Sequence, residues 1–176
     1  MQSEKDRIER AANVAILIAT IALVVLVAND FLRRAGAAQT VPPTFRIGDR
    51  FPSIRGLNFA SHPHGTLVLF ISSRCHFCSD SMPFYRHLVT ARRQPTVSPS
   101  LIAVGYESAE SLREYLSAHN VALDGEFELG DQVSELAATP TLVLVDASSR
   151  VLRVWTGELP PDEQADVERR VGAGSL

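Results

Sequence analysis

The sequence predicts an α/β protein, in which one N-terminal transmembrane helix precedes a central mixed sheet flanked by helices. Three observations support this architecture. An uncharged apolar run extends from Ala11 to Ala28. Apolar, strand-like segments then alternate with helix-like segments over about 130 residues, which is enough chain for one core. The only two cysteines, Cys75 and Cys78, stand between a predicted strand and a predicted helix.

The N-terminal apolar run is long enough to cross a bilayer. About 18 helical residues at 1.5 Å each span roughly 27 Å, close to the thickness of the hydrocarbon core. Charged residues stand on both sides of the run. We therefore interpret residues 1–10 as a short tail, 11–32 as a transmembrane anchor, 33–44 as a linker and 45–176 as the folded domain.

A cleaved signal peptide is the alternative for this segment, with Ala35-Gly36-Ala37 as its small-residue site. The run is long for such a peptide, and charged residues separate it from that site, so an uncleaved anchor is favoured. Positive-inside counting leans weakly toward a cytosolic N-terminus. A dithiol is most useful where disulfides persist, so the domain is expected outside the cytosol. The net charge of −3 is mild, and no long basic cluster indicates a nucleic-acid partner.

The domain opens with an irregular lead-in, 45–57, that is expected to contain a short strand. Residues 66–72 form the first long strand, which is too apolar to alternate and should be buried on both faces. A helix over 78–93 follows. It is expected to kink at Pro83, because proline cannot donate a backbone hydrogen bond. A loop over 95–99 then leads to the next strand.

The second half of the domain contains shorter elements. These are a strand over 101–104, helices over 108–119 and 131–137, strands over 141–145 and 151–155, and a helix over 162–171. Ser108 is the predicted N-cap of its helix. The first two strands should run parallel, joined by a right-handed crossover. The last two should form an antiparallel hairpin.

The segment Cys75-His76-Phe77-Cys78 carries the chemistry. A helix start offers free N–H groups and a partial positive charge, which favour a thiolate over a thiol. Cys75 is therefore the predicted nucleophile and Cys78 the predicted resolving thiol. Two other uses stay open. Zinc would need more ligands, for which His62 and His64 are candidates, and a structural disulfide would close only a very small loop.

Residues from about Phe45 to Val171 resemble the TlpA/ResA group of membrane-anchored, thioredoxin-like oxidoreductases. The Cys-x-x-Cys segment with Met82-Pro83 after it is similar to that group's "C-x-x-C…E-M-P" segment. Ala138-Thr139-Pro140-Thr141 resembles its cis-proline loop, and Glu107 resembles an active-site glutamate of the ResA branch. The chain departs from the group at two positions, where Arg74 replaces a tryptophan and Ser81 a glutamate. It departs from thioredoxins at Leu69, which replaces their buried aspartate.

The resemblance implies a thioredoxin-like fold and roles for further residues. Thr139 and Pro140 would present backbone groups to a substrate peptide, through a cis bond. Glu107 would handle the proton of Cys78. The residue types themselves, rather than the resemblance, predict that three neighbours of the cysteines contribute to substrate binding or stabilise the thiolate: Arg74, His76 and Phe77.

The resemblance also implies the setting in which the protein acts. Disulfides of exported proteins, such as apocytochrome c, would be the substrates. A membrane electron-donor protein would restore the dithiol, and neither a cofactor nor a metal would be needed. The protein would be located in the bacterial cytoplasmic membrane, with its folded domain on the periplasmic side.

Two other functions remain as alternatives. A peroxiredoxin-like peroxidase is indicated by Ser72-x-x-Cys75, although Val68 replaces the proline of that motif. A non-catalytic, membrane-tethered binding module with a structural disulfide is the other. Cys78 argues against the peroxidase, because it makes a dithiol the better interpretation. The two cysteines and the Thr139-Pro140 loop argue against the binding module.

Overall fold

The computed structural model describes residues 45–92, 97–129 and 138–173, together with Leu17, Thr20 and Ile21. The chain divides into two units, Met1–Thr40 and Val41–Leu176. Within the described residues, no helix is long and apolar enough to cross a membrane. The predicted tail and linker, the helix over 131–137 and all but three residues of the anchor lie outside the described residues.

Five strands form one mixed sheet in the order β3-β2-β1-β4-β5. They are β1 (Thr66–Phe70), β2 (Ser100–Gly105), β3 (Gly125–Glu128), β4 (Thr141–Val145) and β5 (Val151–Thr156). The pairs β1–β2 and β2–β3 are parallel, whereas β1–β4 and β4–β5 are antiparallel. The predicted parallel pair and the predicted hairpin are both confirmed. Since Phe70 pairs with Thr141, the end of β1 and the start of β4 meet at one edge of the sheet.

Four described helices pack on one face of the sheet. They are α1 (His76–Asp80), α2 (Met82–Ala91), α3 (Ala109–Ala118) and α4 (Pro161–Ala173). Their apolar side chains join those of Leu67, Leu69 and Ile71, which point to this face because side chains alternate along a strand. Ser108 is the N-cap of α3, as predicted, and its side chain accepts a hydrogen bond from the Ser111 amide.

The N-terminal lead-in covers the opposite face of the sheet. Phe45 stacks on Phe51 at 5.0 Å, and Phe51 meets Phe59 edge-on at 5.2 Å. These rings pack with Val68 and Phe70 of β1. The strand is therefore buried on both faces, as its unbroken apolar run predicts.

The predicted helix over 78–93 is wrong in its boundaries. The structure has two helices that meet at Ser81, and the first begins at His76. Pro83 does not kink a continuous helix, because it lies in the first turn of α2. Amides of a first turn have no intrahelical acceptor, so a missing N–H is tolerated there.

Two further differences concern strands. β3 is absent from the sequence prediction, because it is short and two of its four residues are glutamates, which are depleted in strands. The short strand expected in the lead-in is reduced to a single bridge between Arg50 and Arg150. A short 3-10 helix, Phe59–Ser61, follows the lead-in.

Candidate active site

The two cysteines lie at the start of α1, one turn after the end of β1. The Cys75 carbonyl accepts hydrogen bonds from the amides of Cys78 and Ser79, at 3.2 and 3.3 Å. Both side chains are thiols. Cys75 is half-buried and reaches the surface, whereas Cys78 is fully buried in the core on the helix side. The structure therefore provides one accessible sulfur and one enclosed sulfur.

The surroundings of Cys75 favour its thiolate. Partial burial by itself raises the pKa of this thiol. Hydrogen bonds with the side chains of Thr139 and Cys78, and with the backbone of Phe77 and Cys78, oppose that effect, and the pKa is lowered from 9.0. Because α1 has only five residues, these individual donors, rather than a long helix, carry the stabilisation.

Cys78 has the opposite environment. Burial raises the pKa of Cys78 to about 12, and its hydrogen bond with Cys75 and the charge of Cys75 add to the rise. Of the two thiols, Cys75 therefore ionises first, while Cys78 keeps its proton at neutral pH. Bonding of Cys75 to another sulfur removes its charge, so that part of the barrier to ionising Cys78 disappears.

The loop before β4 lies against the Cys75 sulfur. The Thr139–Pro140 peptide bond is cis, as predicted. The Cys75 thiol donates a hydrogen bond to the Thr139 carbonyl, with 3.2 Å between sulfur and oxygen. Pro140 is buried, and Thr139 is half-buried. This contact joins residues 64 positions apart in the chain, and sheet pairing between β1 and β4 brings them together.

The other predicted substrate-binding residues surround Cys75 on the surface. Arg74 is exposed, and its backbone amide donates to Ser72 Oγ at 3.2 Å. His76 Nε2 lies 3.1 Å from Asp80 Oδ2, one helical turn further along α1. The Phe77 side chain is 56% exposed. These residues border the accessible sulfur, with an aromatic ring available for contact.

Glu107 links the end of β2 to the turn before the cysteines. Its Oε1 accepts hydrogen bonds from Ser72 Oγ at 3.0 Å, from the Ser73 amide at 3.0 Å and from Ser73 Oγ at 2.7 Å. Its Oε2 is buried without a hydrogen-bond partner among the described residues. The glutamate thus lies at the cysteine end of the sheet, as predicted, and keeps one acceptor oxygen unused.

Sequence reasoning missed several hydroxyl groups of this site. Ser72 and Ser73 donate hydrogen bonds to Glu107, and the charges of the two sulfurs act on the hydroxyl groups of two tyrosines. The Tyr115 hydroxyl lies 3.0 Å from Ser79 Oγ, and burial and then the charges of Cys78 and Cys75 raise the pKa of Tyr115. Burial and the charge of Cys78 likewise raise the pKa of Tyr85.

A weak signal for one of these tyrosines was present in the sequence. Tyr85 follows Cys78 by seven residues, which is close to two helical turns.

Ser72 belongs to the motif that indicated a peroxidase. In the structure, its hydroxyl donates a hydrogen bond to Glu107 and accepts one from the Arg74 amide. Among the residues that the structure describes, no group of three or more His, Cys, Asp or Glu side chains could hold a metal ion.

Comparison with known proteins identifies the fold through solved structures. No protein-family model matches the chain, and no curated protein matches it. Solved structures do match, and they include thiol:disulfide interchange proteins and a thiol-disulfide oxidoreductase. The folded domain shares the thioredoxin-like fold with them, so the predicted mixed sheet flanked by helices is confirmed.

Three of these structures illustrate the likeness. A provisionally named thiol:disulfide interchange protein DsbE from Chlorobium tepidum is 17% identical, with a TM-score of 0.57, over 74% of this chain and 99% of the other. A thiol:disulfide interchange protein from Bacteroides sp. is 18% identical, with a TM-score of 0.56, over 72% and 91%. The thioredoxin domain of a thiol-disulfide oxidoreductase from Bacteroides vulgatus is 17% identical, with a TM-score of 0.55, over 73% and 99%.

Proposed function

We propose that this chain is a membrane-anchored thiol–disulfide oxidoreductase that reduces disulfides of exported proteins. The observation that carries the proposal is the difference between the two sulfurs. Cys75 is accessible and has a lowered pKa, while Cys78 is enclosed and has a pKa of about 12. A reductase needs this asymmetry, because one thiolate must attack at neutral pH and the other must act only afterwards.

The reaction proceeds by two exchanges. The Cys75 thiolate attacks one sulfur of the substrate disulfide, so that a mixed disulfide forms and one substrate sulfur leaves as a thiolate and takes a proton. Cys78 then loses its proton and attacks the Cys75 sulfur. The second substrate thiolate leaves, and the Cys75–Cys78 disulfide remains. Two electrons pass from the dithiol to the substrate, and a membrane electron-donor protein returns two electrons to the pair.

Glu107 is the proposed acceptor of the Cys78 proton. The buried, unpartnered Oε2 supports this role, since a carboxylate oxygen without a donor can take a proton without breaking existing bonds. The three bonds to Oε1 hold the side chain in place meanwhile. Among the described residues, Glu107 has no hydrogen bond to either sulfur, so a water molecule or a small movement has to carry the proton.

The substrate peptide is proposed to bind across the exposed rim of the site. Thr139, held by the cis bond to Pro140, presents its backbone beside the attacked sulfur. The exposed ring of Phe77 offers apolar contact, and Arg74 and His76 supply polar contact. The bacterial cytoplasmic membrane, with the domain on the periplasmic side, is the proposed location. Apocytochrome c is one proposed substrate.

Trapping with single-cysteine variants tests this function. Cys78→Ser should accumulate mixed disulfides between Cys75 and substrate proteins, because the second exchange is removed. Cys75→Ser should accumulate none, although it retains a thiol. A titration of the full chain in glutathione redox buffers should show a reversible two-electron couple. Trapping through Cys78, or a disulfide that resists reduction throughout, would overturn the proposal.

A further inference from the structure

The end of the sheet opposite the cysteines has a distinct surface. β1 runs toward Cys75, so the antiparallel β4 runs away from it and ends where Val145 pairs with Thr66. The turn between β4 and β5, residues 146–150, therefore lies at the far end. Five strand residues place it roughly 16 Å or more from the cysteine end.

The lead-in is fastened to this turn and brings arginines together. Gly48 donates its amide to the Val151 carbonyl at 2.8 Å, and Val151 donates back to Asp49 at 2.9 Å. Arg50 and Arg150 form a β-bridge, and with Ser148 they line an open cavity of about 350 Å³. Backbone pairing thus sets the two arginines side by side, and Arg150 Nη1 also donates to the Gly48 carbonyl at 3.2 Å.

An exposed apolar residue stands beside these charges. Ile47 is 62% exposed at the tip of the lead-in turn, next to the exposed Arg46. We call Arg46, Ile47, Arg50 and Arg150 the basic end. Arginines around an apolar tip are the composition with which a protein surface contacts an anionic bilayer.

Two acidic residues also lie at this end of the domain. Asp146 is turned toward the hairpin, where its Oδ1 accepts bonds from the Ser148 amide, the Ser148 hydroxyl and the Arg150 amide. Asp49 is exposed and remains a counter-charge. Acidic residues are concentrated elsewhere, on β3 and in the first half of α4. The basic end therefore carries three arginines, Arg46, Arg50 and Arg150, against the two carboxylates at this end.

Along the sequence, this end follows the predicted anchor after a short linker. The basic end starts two residues after the predicted linker 33–44, about a dozen residues that reach roughly 40 Å when fully extended. A tethered domain meets its bilayer at a high effective concentration. A small patch, too weak to recruit a free protein, is then enough to orient the domain.

We propose that the basic end docks on an anionic lipid bilayer and holds Cys75 away from the membrane, toward substrates in the aqueous phase. The proposal rests on the anchor of the proposed function but not on its thiol chemistry. It assigns an interaction surface to residues that have no part in the exchange reaction.

Tryptophan quenching in vesicles tests this orientation. The full chain, with its native Trp155 replaced by Phe, would carry Ile47→Trp or, as a matched probe at the cysteine end, Phe77→Trp. Each would be reconstituted in phosphatidylcholine vesicles with or without 30% phosphatidylglycerol, together with a headgroup-spin-labelled lipid. Ile47→Trp should be quenched at least twofold more with phosphatidylglycerol. Phe77→Trp should be quenched in neither vesicle, and 0.5 M NaCl should abolish the difference.

Charge reversal identifies the residues responsible. Arg50→Glu with Arg150→Glu should remove the lipid-dependent quenching of Ile47→Trp, whereas Arg86→Glu, at an exposed arginine of α2, should leave it intact. Equal quenching in both vesicles, quenching of Phe77→Trp, or no association with vesicles would each overturn the proposal. Disulfide reduction measured on the same samples reports separately on the thiol chemistry.

Discussion

Glu107 and Asp124 are carboxylates at opposite ends of β2, and the protein holds them in different ways. Asp124 uses both oxygens: Oδ1 accepts from Arg92 Nη2 at 2.8 Å, while Oδ2 accepts from the Leu101 amide at 2.8 Å and from Arg92 Nη1. Glu107 uses one oxygen, and all its donors are uncharged. Its other oxygen is buried and has no partner in the described part of the chain.

The difference separates a carboxylate that stabilises the fold from one that can take part in chemistry. Burial would raise the pKa of Asp124, but the hydrogen bonds from Arg92 and Leu101 and the charge of Arg92 lower it, so its ionised form is fixed. No cation pairs with Glu107 among the described residues. An unsatisfied buried oxygen costs stability, and such costs are usually found where function requires them. The four predictions below test this contrast.

The largest difference should appear between the two thiols at the Glu107 end. Since the pKa of Cys75 is lowered and burial raises that of Cys78 to about 12, Cys75 carries far more thiolate than Cys78 below pH 9. Iodoacetamide should therefore modify Cys75 far faster, as followed by mass spectrometry from pH 5 to 9. Asp124→Asn should leave both curves unchanged. Equal rates for the two thiols would contradict the assignment.

Asp124→Asn should lower the free energy of unfolding by about 2 kcal/mol, because Arg92, whose side chain is 10% exposed, loses its charged partner. Since the folded-state pKa lies below 3.8, this stabilisation is complete above the unfolded pKa and is lost as pH falls through the folded pKa. Urea unfolding at pH 7 and pH 3 measures both effects. Turnover per folded molecule should be unchanged. A slower turnover would remove the contrast between the two ends.

Glu107→Gln should have the reverse profile, with unfolding free energy nearly unchanged and turnover slowed about tenfold. The amide oxygen can still accept from Ser72 and Ser73, but it cannot take the Cys78 proton. Loss of the negative charge should also lower the cysteine pKa values, because thiolates nearby are then less opposed. Disulfide reduction and thiol titration between pH 5 and 9 test this. Unchanged rates and pKa values would assign Glu107 a purely structural role.

The smallest effect is expected for Ser73→Ala, which removes one of the three bonds to Glu107 Oε1. A single hydrogen bond contributes about 1 kcal/mol, and turnover should fall a fewfold because the carboxylate is held less firmly. Ser61→Ala is the matched control, since it removes a similar hydroxyl bond, to the Asn58 carbonyl, away from the site. Identical turnover in both variants would show that the Ser73 bond does not position Glu107.

Much of the fold could be predicted because it is encoded locally. The apolar runs of β1, β2 and β4 identify buried strands, and the short turn between β4 and β5 fixes their antiparallel pairing. β3 could not be predicted in this way, because four edge residues with alternating glutamates carry little pattern. The break between α1 and α2 at Ser81 escaped for a similar reason, since proline two residues later indicates only that a helix is disturbed.

Site residues that belong to a compact motif could be predicted from their spacing. Site residues that come from distant parts of the chain could not be predicted in this way. The Cys-x-x-Cys spacing and the helix after it identify both sulfurs. The position of Glu107 and the cis bond of Thr139 followed from a family resemblance, and the structure places both beside Cys75 or its turn. Ser73 and Tyr115 were not found, because isolated serines and tyrosines carry no spacing signal.

The sequence by itself determined the elements with local periodicity, the cysteine pair and the order in which they follow one another. Only the tertiary structure decided which groups surround the sulfurs. Parallel pairing of β1 with β2 and antiparallel pairing of β1 with β4 bring residues 34 and 64 positions away to the same turn. Hydrogen bonds and burial act over a few ångströms, so thiol pKa values depend on neighbours in space, and neighbours in space are set by the order of strands in the sheet.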